Sequence, residues 1–380
     1  MRIESVKNKI LLGEALAKLK EFPDECIDCV MTSPPYWNLR NYEIEPSVWD
    51  GRPDCEHDWD FFTRQGMSGG TNSAKVQVKG SRNFQWVEAT KQAFCAKCSA
   101  WRGCLGLEPT FSLFIKHLVD IFDEIKRVLK PTGSAWVVLG DTYSTQGGQN
   151  RDTMKVYSGH KSIRLKNAMM SIPLVKSKEL PSKSLCQIPS RFAIEMSSRG
   201  WILRNELIWF KPNCMPSSAT DRFTVDFEKV FFFVKSKRYW FTQQHELLRN
   251  GEKLQKPFFN PVNIMQKKRV YSDKYIASIN PKSAEQSRAR MLKMGRNKRC
   301  VWTIPTKSFT GAHFAVYPEE LCVTPIQAGC PENGIVLDPF MGSGTTAVVA
   351  RKLGRNYIGI ELNQKYITLA EKRLAQQAMI

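Results

Sequence analysis

The alternation of strand and helix signals in the last seventy residues constrains the fold more than any other feature of the chain. Apolar residues at helical spacing predict helices over 318–328, 345–353 and 364–376. Between them, short apolar runs predict strands over 335–338 and 357–361. Strands joined through helices in this order pair as a parallel sheet, so we expect an α/β fold.

Segments with the same signals occur earlier in the chain. The apolar run Ile27–Thr32 predicts a buried strand, and it stops at Pro34 and Pro35 because proline cannot continue a ladder of hydrogen bonds. The other predicted elements are a helix over 111–129, a strand over Ser134–Leu139, a helix over 189–199, and strands over Leu203–Phe210 and Val230–Val234.

Two stretches interrupt this pattern. Residues 51–104 are polar and contain several cysteines, and residues 241–310 lack clear periodicity. Within the second stretch, positions 251–300 carry 13 Lys and Arg against 3 Asp and Glu. We therefore predict a single core of residues 1–50, 105–240 and 311–380, with a cysteine/histidine insertion at 51–104 and a basic region at 241–310.

A turn with two glycines follows the strand predicted at 335–338. The segment reads Asp338-Pro339-Phe340-Met341-Gly342-Ser343-Gly344-Thr345-Thr346, and a helix begins at its end. Glycine lets the backbone approach a ligand, and Glu361 at the end of the next strand is placed to accept from ribose hydroxyls. No Gly-Lys-Ser/Thr follows, and the third glycine of the dinucleotide pattern is missing. The turn predicts a site for a nucleoside-bearing ligand without a long phosphate chain; the alternative is an ordinary tight turn.

A second group of polar and aromatic residues follows the strand at 27–32. It reads Thr32-Ser33-Pro34-Pro35-Tyr36-Trp37. The prolines fix the backbone, so that Ser33 and the Pro34 carbonyl can accept hydrogen bonds from an exocyclic amine while the Tyr36 ring stacks on a flat substrate. The alternative is a rigid loop with an aromatic plug.

Together the two segments resemble the motifs of amino-group DNA methyltransferases of the β-group, in which the catalytic motif precedes the cofactor motif. The resemblance extends to the segment from His313-Phe314-Ala315 through Pro318. It also covers Asn205–Pro216 and Phe227-Glu228-Lys229-Val230-Phe231, which resemble the later strands that shape the target pocket. It implies a Rossmann-like fold with a mostly parallel seven-stranded sheet in circularly permuted motif order, and a target-recognition region at 241–310. It implies catalytic roles for Ser33, Pro34, Pro35 and Tyr36, and binding of S-adenosyl-L-methionine by Thr32, Phe314, Asp338, Pro339, Phe340, Gly342, Ser343, Gly344, Thr345, Thr346 and Glu361.

The resemblance also implies a mechanism. A base flips out of duplex DNA into a pocket, and its exocyclic nitrogen attacks the methyl group of the cofactor without a covalent enzyme intermediate. Ser-Pro-Pro-Tyr preceded by Thr is more similar to the N4-cytosine enzymes, and Asp-Pro-Pro-Tyr or Asn-Pro-Pro-Tyr is usual for N6-adenine. We expect N4-cytosine, with N6-adenine as the alternative. Methylation at cytosine C5 needs a cysteine, usually after a proline, and the chain has no Pro-Cys dipeptide.

The net charge of +20 favours a polyanionic partner, and we expect double-stranded DNA. A run of basic residues within 241–310 is expected to contact phosphates: Arg288, Arg290, Lys293, Arg296, Lys298 and Arg299. No apolar run approaches the ~20 residues of a membrane-spanning helix, and the N-terminus lacks a signal-peptide core, so we expect a cytoplasmic protein. A cognate restriction endonuclease is a possible partner.

Cysteine and histidine residues in the insertion have the spacing of a zinc ribbon. Cys55-x-His57 and Cys95-x-x-Cys98 supply four ligands, separated by 37 residues, for a structural zinc ion. The alternative is a pair of plain thiols in a loop, and Cys104 is a reserve ligand. Two other classes of protein stay open at this point: a non-catalytic zinc-bearing DNA-binding protein, and a methyltransferase acting on RNA or a small molecule.

Overall fold

The computed structural model describes residues 1–37, 44–61, 93–144, 180–246, 295–307 and 316–377. Its helices are α1 (Ile3–Val6), α2 (Ala15–Lys20), α3 (Phe111–Val128), α4 (Ile188–Ser198), α5 (Glu319–Gly329), α6 (Thr345–Lys352) and α7 (Gln364–Gln377). Its first strands are β1 (Lys9–Leu12), β2 (Ile27–Thr32), β3 (Ser47–Trp49), β4 (Trp59–Phe61), β5 (Ala93–Cys95), β6 (Trp101–Gly103) and β7 (Leu129–Leu139). The later strands are β8 (Ile202–Phe210), β9 (Phe227–Val234), β10 (His245–Glu246), β11 (Arg296–Asn297), β12 (Val301–Thr303), β13 (Ile335–Asp338) and β14 (Asn356–Glu361).

The central sheet has the strand order β1-β14-β13-β2-β7-β9-β8-β12. Its pairs are parallel except those of β9, which runs antiparallel to both β7 and β8. The predicted α/β fold and permuted order are confirmed, because β2 with the catalytic motif precedes β13 with the cofactor motif in the chain and pairs directly with it. The sheet has eight strands where we expected seven, since the short β12 adds to the edge strand β8.

Helices cover both faces of this sheet. Neighbouring residues of β13 show the division: Leu337 packs in one apolar cluster with α2, α3 and α4, and Val336 packs in the other with α5, α6 and α7. Successive side chains of a strand point to opposite faces, so a strand covered on both sides reads as a continuous apolar run. Because the helices cover the two faces of the sheet, the carboxyl ends of its strands are left to the loops that follow them.

A second, antiparallel sheet has the order β3-β6-β5-β4. It includes β3, which begins at Ser47, before the predicted start of the insertion at 51. Conversely, β12 joins the central sheet although it lies in the range 241–310. The division into one core and two insertions stays a prediction. In the described ranges, no helix is long and apolar enough to cross a membrane.

Candidate active site

The catalytic and cofactor motifs meet because β2 and β13 are adjacent parallel strands. Val336 pairs with Cys29 and Leu337 with Val30, so the two strands end at the same edge of the sheet. Residues 33–37 follow β2 and residues 339–344 follow β13; we name them the catalytic loop and the cofactor loop after their predicted roles. A hydrogen bond of 2.6 Å from Thr32 Oγ1 to Asp338 Oδ1 joins the two strand ends. Ligands of open α/β sheets bind at this kind of crevice.

Asp338 is fully buried and holds this corner together. Besides Thr32, its carboxylate accepts from the Phe340 backbone N–H at 3.0 Å, from Thr346 Oγ1 at 2.7 Å and from the Tyr317 hydroxyl at 3.1 Å. Burial raises the pKa of the Asp338 carboxyl, and these four donors oppose that shift. Tyr317 was missed by sequence reasoning, and burial likewise raises its pKa.

The two glycines of the cofactor loop serve different purposes. Gly344 has φ +83°, and a Cβ there would lie 2.6 Å from Ala370 Cβ, so its missing side chain lets α7 pack against the start of α6. Gly342 has φ +53°, and the nearest atom to its Cβ position is the Phe340 carbonyl oxygen at 3.9 Å. The space beside Gly342 is therefore open to a ligand, whereas the space beside Gly344 is filled by protein.

Glu361, at the end of β14, faces the cofactor loop from the neighbouring strand. Its Oε2 accepts from the Gly342 backbone N–H at 2.8 Å, and its Oε1 accepts from the Asn363 backbone N–H at 2.8 Å. Burial raises the pKa of the Glu361 carboxyl. Each carboxylate oxygen has a second lone pair, so the side chain keeps the capacity to accept from a ligand hydroxyl.

The other predicted cofactor residues divide by exposure. Phe340 is half-buried at the surface of the crevice. Sequence reasoning missed Arg373 of α7. It donates to the Ser343 carbonyl and to Thr345 Oγ1, and these bonds tie the end of the cofactor loop to α7. Four of the predicted residues are buried, namely Pro339, Ser343, Thr345 and Thr346. Phe314 lies outside the described residues.

In the catalytic loop, the polar groups form a chain of hydrogen bonds. Ser33 Oγ donates to the Tyr36 hydroxyl at 3.3 Å, and the Tyr36 hydroxyl donates to Glu228 Oε2 at 2.6 Å. Lys211, which follows β8, donates from Nζ to the other oxygen of Glu228. Pro34 is buried and Pro35 half-buried. Glu228 and Lys211 lie in the segments Phe227–Phe231 and Asn205–Pro216 that the resemblance covers, but neither residue was predicted to have a role of its own.

Close packing fixes the Tyr36 ring. A Cβ on Gly140, after β7, would lie 2.6 Å from Tyr36 Cε2 and 2.9 Å from Cδ2, so only glycine leaves room for the ring there. The next residue, Trp37, is buried, and its indole N–H donates to the Glu108 carbonyl at 3.0 Å. The loop is thus held at its aromatic residues by groups that lie far away in the sequence.

Comparison with known proteins identifies the chain. The model of a DNA methylase family, N6_N4_Mtase, matches residues 27–372. The chain belongs to this family of amino-group DNA methyltransferases. It is 30% identical over 369 residues to the type II methyltransferase M.SmaI of Serratia marcescens, with 97% of this chain and 91% of the relative covered.

A second relative of this methyltransferase is M.Cfr9I of Citrobacter freundii, also a type II methyltransferase, which is 31% identical over 364 residues. That match covers 95% of this chain and 86% of the relative. Among solved structures, a cytosine-N4-specific PvuII DNA methyltransferase matches with a TM-score of 0.49 and 17% identity, covering 97% of this chain and 88% of that chain.

The four predicted zinc ligands of the methyltransferase lie together. Their ligand atoms all lie within 4.8 Å of one another, with Cys55 Sγ 3.9 Å from Cys95 Sγ and Cys98 Sγ 3.4 Å from His57 Nδ1. Four ligands about 2.0–2.3 Å from a tetrahedral zinc ion are separated by about 3.5–3.8 Å. The two stated distances are close to that range, and 4.8 Å is the upper bound over all pairs. Cys104 is not one of this group; its thiol donates to the Ile44 carbonyl.

A buried cluster of ionisable side chains, missed by sequence reasoning, connects the second sheet with α3. His117 of α3 is fully buried between the rings of Trp49 and Trp101, at 4.7 and 5.4 Å. Its Nδ1 lies 3.1 Å from Glu108 Oε1, and its Nε2 lies 3.2 Å from Asp50 Oδ2. Burial raises the pKa of Glu108, whose backbone carbonyl also holds the catalytic loop.

Three of the six predicted DNA-contacting residues are described by the structure. Arg296 and Arg299 both donate from Nε to Glu246 Oε1, each at 2.7 Å. Lys298 donates to Thr324 Oγ1 at 2.9 Å, and burial lowers its pKa. Arg288, Arg290 and Lys293 lie outside the described residues.

Proposed function

We propose that this DNA amino-methyltransferase transfers the methyl group of S-adenosyl-L-methionine to the exocyclic N4 amine of a cytosine flipped out of duplex DNA. The observation that carries the proposal is the hydrogen bond between Thr32 and Asp338, which holds the catalytic loop beside the cofactor loop. A base bound by the first loop and a cofactor bound by the second would then have their reacting atoms close together.

The residues at the crevice suit an S-adenosylmethionine ligand. The open space beside Gly342, the half-buried Phe340 ring and the Glu361 carboxylate offer close backbone approach, an apolar surface and an acceptor for ribose hydroxyls. Bound there, the ligand supplies an electrophilic methyl group. We propose that buried Asp338, Thr345 and Thr346 contribute by holding the loop in shape.

On the base side, Ser33 Oγ and the Pro34 carbonyl would accept hydrogen bonds from the amine, which localises the lone pair of the nitrogen. The choice of cytosine rests on the serine of the Ser-Pro-Pro-Tyr motif. The Tyr36 ring would stack on the base, so Tyr36→Ala is expected to lose about 1–3 kcal/mol of base binding with little change in cofactor affinity.

The test is the product itself. The gene is expressed in a bacterial host without DNA methyltransferases, and the genomic DNA is digested to nucleosides and separated by mass. We expect N4-methylcytosine, which sequencing would then place at one recognition site. If the product is N6-methyladenine, the target base is adenine and the proposed amine methylation still holds. If the product is 5-methylcytosine, or if no methylated nucleoside is found, the mechanism is refuted.

We further propose a structural zinc ion on Cys55, His57, Cys95 and Cys98. The closeness of the four ligand atoms supports this, and so does the donor set, because three thiols and one imidazole are ligands that zinc prefers. Elemental analysis of protein purified without chelator should give about one zinc per chain. Full zinc retention in the Cys95→Ser, Cys98→Ser double variant would exclude the site.

For the partner, we propose duplex DNA held by phosphate contacts from the basic region 241–310. Of the residues predicted to contact phosphates, Arg299 is exposed over 56% of its side chain and so is accessible to DNA. Neutralising one phosphate-binding residue is expected to reduce the salt slope of DNA binding by about one. Pairing with a restriction endonuclease is proposed because type II methyltransferases are the relatives of the chain.

A further inference from the structure

Methylation of an exocyclic amine must release a proton, and serine alone is a poor place to put it. When the amine nitrogen forms its bond to the methyl carbon, it becomes cationic and must lose one of its hydrogens. A serine hydroxyl is neutral, so it can accept that proton only if it gives up its own at the same time. The partners of Ser33 therefore matter to the chemistry.

In the chain of hydrogen bonds that begins at Ser33, each donor points toward Glu228. Ser33 Oγ donates to the Tyr36 hydroxyl, and the Tyr36 hydroxyl donates to Glu228 Oε2 at 2.6 Å. Since the hydrogen of Ser33 points toward Tyr36, the lone pairs of Ser33 Oγ are left to accept from an amine. The chain of donors ends at a carboxylate, the one group of the three that readily takes a proton.

Lys211 holds the Glu228 carboxylate in position. Its ammonium contacts the second oxygen of Glu228, and both side chains are mostly buried, with 17% of Lys211 and 18% of Glu228 exposed. The contact holds Glu228 in place, with Oε1 on the ammonium and Oε2 on the Tyr36 hydroxyl. The remaining exposure of Glu228 gives the proton a way to solvent after each turnover.

We propose that Ser33, Tyr36 and Glu228 form a proton relay for the methylated amine, with Lys211 as its positioning residue. The proton leaves the amine nitrogen for Ser33 Oγ, the Ser33 proton moves to the Tyr36 oxygen, and the Tyr36 proton moves to Glu228 Oε2. The nitrogen keeps its electron pair as it loses the proton, and the carboxylate becomes a neutral acid. The relay would give a serine motif the use of a distant carboxylate.

This inference rests on the proposed amine methylation, and its test begins by mapping the methylated site of the wild-type enzyme. Single-turnover rates are then measured on a duplex containing that site for Glu228→Gln, Tyr36→Phe and the double variant. Glu228→Gln keeps an oxygen that accepts from Tyr36 and removes only the charge, and Tyr36→Phe keeps the ring and removes only the hydroxyl.

We expect each single variant to lower the methyl-transfer rate by about 100-fold, and the double variant to be no slower than the slower single one, because all three interrupt one path. DNA affinity, and the fluorescence of 2-aminopurine placed at the target to report base flipping, should stay unchanged with S-adenosylhomocysteine bound. The matched control is Glu206→Gln, which removes the neighbouring Glu206–Lys229 ion pair on β8 and β9 and should leave the rate unchanged.

Four results would overturn the relay: a Glu228→Gln rate close to wild type, losses that multiply in the double variant, a loss of base flipping as large as the loss of rate, or an equal loss in Glu206→Gln. If Glu228→Gln unfolds, Tyr36→Phe still tests the path alone. N6-methyladenine as product would correct the base and leave the relay under the same test, since adenine also carries an exocyclic amine. Absence of any methylated amine would overturn both proposals.

Discussion

The cofactor loop and the catalytic loop lie side by side, but the structure holds them in different ways. Asp338 at the cofactor loop binds two groups of its own segment, the Phe340 N–H and the Thr346 hydroxyl. Tyr36 of the catalytic loop binds Glu228, which lies 192 residues away, and packs against Gly140. Two of the four donors to Asp338 thus come from its own motif and two, Thr32 and Tyr317, from elsewhere. Glu228 and Gly140, by contrast, reach Tyr36 only through the fold.

The two carboxylates at these loops also differ in what they can do. Asp338 is fully buried and accepts from four donors, so its oxygens are occupied by the protein. Glu228 is partly exposed and stands at the end of a chain that begins at Ser33. We therefore expect changes at Asp338 to act first on stability, and changes around Tyr36 to act first on the rate of methyl transfer.

The largest effect is expected from Asp338→Asn. The amide has one oxygen where the carboxylate has two, so its NH2 group faces donors that then lack an acceptor inside the protein. We expect a loss of about 3 kcal/mol in the free energy of unfolding, measured by urea denaturation.

The control is Asp28→Asn on the neighbouring strand β2. Among the described residues Asp28 accepts from two groups, the Ile335 N–H and the partly exposed Lys130, so it should lose less than half as much. Equal losses at the two positions would contradict a special role for Asp338 at the corner.

The same contrast explains how much of the site could be predicted from the sequence. The cofactor turn was predictable because its strand, its glycines and its helix are contiguous from 335 to 353. The confirmed strand β2 placed the catalytic loop at the same edge. Glu228 and Gly140 were not predicted as partners of the catalytic loop, because only the pairing of β2 with β7 and of β7 with β9 brings them there. Glu108, which precedes α3, was not predicted either, since it lies 71 residues from Trp37. No local pattern reports a contact across 192 residues.

The next largest effect is expected from Gly140→Ala. The added Cβ would overlap the Tyr36 ring, which must shift, and overpacking of this kind typically costs about 1–3 kcal/mol. Because the ring is proposed to hold the base, we expect the methyl-transfer rate to fall by about 10- to 100-fold, while cofactor affinity measured by calorimetry stays unchanged. In a Tyr36→Ala background the same substitution should cost little more, and a full additional loss there would place its effect elsewhere.

A smaller effect is expected from Glu361→Ala on the cofactor side. Loss of charge-assisted hydrogen bonds to ribose should weaken S-adenosyl-L-methionine binding by about 1–3 kcal/mol, again by calorimetry. The exposed Glu371 of α7 supplies the control, since Glu371→Ala removes a carboxylate away from the crevice. Unchanged affinity in folded Glu361→Ala protein would remove this residue from the site.

The smallest effect is a pH dependence of cofactor binding. Burial raises the pKa of Glu361 above its ordinary value, so its carboxylate takes up a proton at a higher pH than an exposed glutamate does. The ionised form is the one that accepts hydrogen bonds from ribose, so the affinity for S-adenosyl-L-methionine should fall as the pH drops from 7 toward about 5. The Glu361→Gln variant should bind S-adenosyl-L-methionine more weakly at pH 7. Its affinity should depend much less on pH, because the amide does not titrate. Since Asp338 is retained in that variant, a dependence that persists would assign the titration to the buried corner instead.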